Sequence, residues 1–275
     1  MESKILNSLI NNQAALAWNF YQNPRQPYDD FVSNYILKPM KFTFVLRHYD
    51  RPLAEFVKEL PDLMHRLTTV YGPGGSAWFP QTIRQIEKAG IPNLYAFLEQ
   101  VTTTAQAQGF LETTGISRLQ LMGWLDYLKQ WWFPYPATLR QLVEEGDPTL
   151  DTALAQLKAI KIANSLALLD AGAEPEGRAE LTRRSGIDRA VLLDLVHRAD
   201  VSRLPYTSGG AVKRLWEMGY QSLAAIRAAA PQEYAARIDA YFSSGGKGSA
   251  FDSKMDNILT FLKDARHTPD VVKNA

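Results

Sequence analysis

Three stretches, TIRQIEKAGIPNL at 82–94, TLRQLVEEGDPTL at 138–150 and AVKRLWEMGYQSL at 211–223, share one thirteen-residue pattern. Each places apolar residues at its second and fifth positions: Ile83 and Ile86, Leu139 and Leu142, Val212 and Leu215. That i, i+3 spacing marks one face of a helix. Each then carries glycine at its ninth position, where a left-handed residue closes a helix. The first two copies share Thr, Arg, Gln, Gly, Pro and Leu at matching places, more than helical composition alone requires. Internal repetition of this kind defines an array of helices.

A longer correspondence extends the pattern. Gly115-Ile116-Ser117-Arg118 matches Gly186-Ile187-Asp188-Arg189 at a spacing of 71, and the same spacing relates Pro134-Tyr135 to Pro205-Tyr206. Ser and Asp are both good helix N-caps, so the one mismatch keeps the local physics. Two helical units follow from this, one over 80–157 and one over 158–243. Between Gly90 and Gly115 the first unit has room for a short helix that the second, counted from Gly172 to Gly186, lacks.

Outside the units, helical patterns fall at 5–21, 28–37 and 52–70, making 1–79 an N-terminal helical region. KFTFVLRHY at 41–49 has strand-like composition but no partner strand, so helix is expected. Gly72-Pro73-Gly74-Gly75 marks a turn and a boundary. SSGGKGS at 243–249 reads as a linker, and 244–275 should hold a final helix near 251–265 with Met255, Ile258, Leu259 and Leu262 on one face, docked on its own chain or on a partner. The fold class is therefore all-α.

The residues before the third copy, LPYTSGGAVKRLWEMG at 204–219, resemble a helix-hairpin-helix motif. Together with the paired Gly-Ile elements, the region 80–243 resembles a bacterial helix-hairpin-helix-related domain family of unknown function, in two tandem degenerate copies. The resemblance implies phosphate contact through the hairpin amides and the start of the second helix, in DNA binding without sequence preference. The candidates for nucleic-acid contact are Thr207, Ser208, Gly209, Gly210, Lys213 and Arg214. The usual hairpin glycines are replaced by Tyr206 and Ser208, and the other hairpin, Phe133-Pro134-Tyr135-Pro136, has two prolines that lack amide donors.

Thirty basic and twenty-nine acidic residues leave a net charge of +1, so no global field attracts nucleic acid or an anionic membrane. The chain has no cysteine, which excludes disulfides and thiol chemistry and accords with a cytoplasmic setting. His48, His65, His197 and His267 show no metal-binding spacing, so no metal or other cofactor is expected. The uncharged stretch from Ile5 to Pro24 carries seven Asn and Gln side chains and does not read as a membrane span. Trp131, Trp132, Phe133 and Tyr135 form the densest aromatic group, a candidate partner-binding surface. These features lead to the expectation of a non-catalytic adaptor that binds another macromolecule, with protein the leading partner and DNA or RNA the alternative.

Overall fold

The computed structural model describes residues 19–20, 23–58, 75–247 and 253–273, with side chains at 27–58, 79–247 and 253–273. The Gly72–Gly74 turn and most of the helix expected at 5–21 lie outside them, as do 59–70 of the helix expected at 52–70 and 248–249 of the linker. The described chain is all-α apart from one short antiparallel hairpin, β1 (Asn19–Phe20) and β2 (Asn23–Pro27). The helix expected to reach residue 21 has therefore given way by Asn19. Pro24 and Pro27, without amide protons, suit this extended form better than a helix.

The first helix among the described residues, α1, begins at Tyr28–Phe31 and continues as a π-helical Val32–Leu37. The strand-like 41–49 stretch is helical: α2 spans Thr43–Tyr49. A further helix, α3, occupies 53–58. Twelve α-helices follow among the described residues, and they fall into three sets of four. The first set is α4 (Gly75–Lys88), α5 (Leu94–Glu99), α6 (Thr104–Thr114) and α7 (Arg118–Tyr127, extended by a π-helical Leu128–Trp132). The second is α8 (Pro148–Ala159), α9 (Ser165–Gly172), α10 (Pro175–Ser185) and α11 (Arg189–Val201). The third is α12 (Gly209–Glu217), α13 (Leu223–Ala228), α14 (Pro231–Ser243) and α15 (Met255–His267).

The joints show why these sets are copies. Gly90, Lys161 and Gly219 are all left-handed, with φ of 83°, 66° and 84°, just after the first helix of their set. Three residues later Asn93, Asn164 and Ser222 cap the second helix through side-chain oxygens. Gly115, Gly186 and Gly245, also left-handed, close the third helices. The equivalent of Gly90 is thus Lys161 and not Gly172, and the second set has lost no helix.

Lys161 is the one non-glycine residue at these six joints, and a Cβ in the left-handed region meets the following carbonyl. Lys161 is exposed, so its side chain gains little in return. Lys161→Gly should raise stability by about 0.5–1 kcal/mol, measured by urea denaturation.

The second thirteen-residue copy differs from its expected form. Only one 3-10 turn, Leu139–Leu142, forms there before Gly146 and the Asp147 cap of α8. Val143 is already extended, and Pro148 forces a new helix start. The apolar face of α15 is only partly buried. Ile258 and Leu262 are buried, whereas Met255 and Leu259 are 41% and 47% exposed.

Packing divides the chain into two compact units, one of Met1–Lys41 and Val45–Phe133, the other of Phe42–Phe44 and Pro134–Ala275. This division follows contact, whereas the 80–157 and 158–243 division follows sequence repetition. The first unit has an aromatic core. Phe56 meets Trp124, Tyr127 and Trp132 edge-on at 5.3, 6.2 and 4.6 Å, and Trp124 stacks on Tyr127 at 5.3 Å. The second unit is filled largely by aliphatic side chains, among them Leu157, Leu166, Leu169, Leu181, Leu192 and Val196. There α15 packs on α13 and α14, so the helix after the glycine-rich linker docks on its own chain.

Candidate functional site

The hairpin at 202–208 joins α11 to α12, and its geometry follows from three local devices. Ser208 caps α12, its hydroxyl accepting from the Ala211 amide at 3.4 Å. Thr207 donates its amide to Leu204 O at 3.1 Å, which tightens the turn. Tyr206 is held at φ 56° with 69% of its surface exposed. Gly209 sits against the 3-10 turn so closely that a Cβ there would lie 2.2 Å from Gln141 O. Its missing side chain therefore serves internal packing. A Cβ on Gly210 would meet only the Ser208 hydroxyl, at 3.9 Å. Lys213 and Arg214, one turn further, are half-buried.

Beneath the hairpin Arg198 links three elements. Its Nε donates to Asp194 at 2.8 Å and its Nη1 to Leu142 O at 2.9 Å, with Glu144 paired at 3.0 Å. The guanidinium lies 4.7 Å from the Trp216 ring centroid, and Trp216 Nε1 donates to Asp194 at 2.7 Å. No part of this network was visible as a motif, because Arg198, Glu144 and Trp216 are far apart in sequence.

The aromatic group separates on folding. Trp132 is buried, donating its indole N–H to Tyr49 O at 3.0 Å with Arg51 over its face at 5.3 Å. Phe133 is buried, Trp131 is half-buried, and Tyr135 alone is largely exposed, at 56%. A contact surface made of all four side chains does not form.

A cleft of about 550 Å³ in the second unit lies between α11, α13 and the segment 270–273. Its lining includes His197, Asp200, Ser222, Arg227, Asp270 and Lys273. Sequence reasoning missed it because a lone histidine beside the buried Val196 gives no signal. Burial holds the His197 imidazole below its ordinary value of 6.5, Arg178 acting in the same sense and Asp200 and Asp194 against it. The unfolded chain takes up a proton near that value and the folded chain resists it. Stability is therefore full above pH 6.5 and falls as pH drops through it. The melting temperature should fall on acidification from neutral pH, and His197→Asn should reduce that fall.

Among the described residues no group of three His, Asp or Glu could hold a metal ion, and no helix is long and apolar enough to cross a membrane. Residues 148–266 match the model of a domain of unknown function (DUF4332). The matched region holds the second and third helical sets, from α8 to all but the last residue of α15, and with them the 202–208 hairpin. No curated protein and no solved structure matches the chain.

Proposed function

We propose that the chain is a non-catalytic helical adaptor whose repeated hairpins contact a protein partner. One observation carries this reading: Tyr135 and Tyr206 stand at equivalent corners, 71 residues apart, and are 56% and 69% exposed. A left-handed tyrosine costs roughly 1–2 kcal/mol of backbone energy at Tyr206. Most of its surface nevertheless stays in solvent, where a partner can reach it. Tyrosine supplies large, rigid contact area with a polar tip and is enriched at interface hot spots. A crosslinking pull-down with the full chain should recover a protein that Tyr135→Ser/Tyr206→Ser no longer retains. Recovery of no protein, or of the same proteins by both chains, defeats the proposal.

The second reading, DNA or RNA contact at the same hairpin, draws on the open side of Gly210 and on Lys213 one turn later. It is weakened by Gly209, whose close approach is to Gln141. Nucleic-acid binding of this kind declines steeply with salt. A mobility shift at low salt, lost in Lys213→Glu/Arg214→Glu, would favour it over the protein partner.

A further inference from the structure

After α15 the segment 268–273 leaves the helix through an extended Thr268, with Pro269 and Val271 buried and Asp270 between them exposed. The two buried side chains are two residues apart, as on one face of a strand. Most of its polar attachments are made through its backbone. Arg203 Nη2 donates to Pro269 O at 3.1 Å, Arg178 Nη2 to Lys273 O at 2.7 Å, and Arg227 Nη2 to Thr268 O. The Lys273 amide donates to Ala173 O at 3.0 Å. Asp270 adds a side-chain contact, with Arg227.

Two of the three arginines are also anchored outside the segment, whereas Arg227 is held by Ala265 O at the end of α15 and by the segment itself. Arg178 Nη1 donates to Ala173 O at 2.8 Å, Arg203 Nε to Asp200 at 2.9 Å, and both side chains are buried. Fixed charged donors of this kind bind main-chain carbonyls while leaving most side-chain positions unspecified, as in recognition of extended peptides. The groove is also larger than its occupant. The 550 Å³ cleft runs beside Asp270, Val272 and Lys273, and the buried His197 Nδ1 on its wall has no hydrogen-bond partner.

We infer that this groove is a binding site for an extended peptide segment of the protein partner, with small apolar residues at the places of Pro269 and Val271. Residues 268–273 are its occupant in cis and compete with the partner for it. The partner assignment rests on the adaptor reading, whereas the groove itself does not.

The test uses a fluorescent peptide of residues 266–273 and three proteins: the full chain, the full chain with Val271→Asp, and a chain lacking 268–275. Both altered chains should bind the peptide about tenfold or more tightly than the full chain, since occupancy in cis lowers apparent affinity by the free fraction. A peptide carrying Val271→Asp should not bind. Circular dichroism accompanies each titration. If the shortened chain unfolds, Val271→Asp in the full chain carries the test, and unfolding of both makes the segment a structural part and overturns the proposal. Equal, weak binding by all three folded proteins overturns it as well. A full-chain dimer that becomes monomeric on removal of 268–275 assigns the groove to a second copy instead of a partner. Because the peptide titration needs no partner, its failure leaves the Tyr135→Ser/Tyr206→Ser result standing.

Discussion

Arg198→Ala should lower the stability of the second unit by about 3 kcal/mol, within the range for breaking a buried, hydrogen-bonded ion pair. The estimate follows from what the alanine leaves behind. Asp194 keeps the Trp216 indole N–H but loses its cation, and Leu142 O loses a charged donor. The Trp216 face loses the guanidinium stacked over it. Asp194 and Glu144 retain about a third of their side-chain exposure, which keeps the effect below the largest values known for such pairs. Arg198→Lys should fall between, since an ammonium keeps the charge but cannot present the planar fork. Arg183→Ala supplies the control: its pair with Glu180 is exposed, and the urea midpoint should not move. A loss equal to that of the control would mean that Arg198 is a spectator of the packing around it.

Arg198 also marks the limit of what the sequence disclosed. The thirteen-residue pattern was legible because its parts are local: an i, i+3 stripe, a left-handed glycine and the start of the next helix lie within one window. All six stripe residues are buried, and Gly90, Gly146 and Gly219 are left-handed as expected. The pattern misled where a local device changed chemistry. Lys161 hides a joint that glycine marks elsewhere, so the second set seemed one helix short. The cleft at His197 and the arginines over 268–273 depend on contacts between residues as much as 95 positions apart, and no spacing rule reaches that far. The aromatic group failed for a different reason. Composition placed Trp132 and Phe133 beside Tyr135, but the end of α7 turns the first two inward and leaves the third outside.

Gly209 and Gly210 are adjacent, and the resemblance to a helix-hairpin-helix motif treats both as openings for a phosphate. Their surroundings separate them. Gly209→Ala must place a carbon where Gln141 O now stands, at 2.2 Å, against backbone that is fixed by the 3-10 turn. Relief requires α12 to move away from Leu139–Leu142, so a loss of about 2–3 kcal/mol is expected, as for overpacking of a rigid site. Gly210→Ala adds its carbon to open space within a helix, where alanine is favoured over glycine by about 0.5–1 kcal/mol, and should be neutral or stabilising. The pair of variants therefore separates two roles that the sequence merges. If both glycines admit a phosphate, both variants weaken a low-salt mobility shift while thermal stability stays level. If Gly209 is there to let the turn approach, Gly209→Ala lowers the urea midpoint and Gly210→Ala does not. The second outcome would leave the hairpin with Tyr206 as its outward-facing feature, and a tyrosine corner suits a protein surface better than a phosphate.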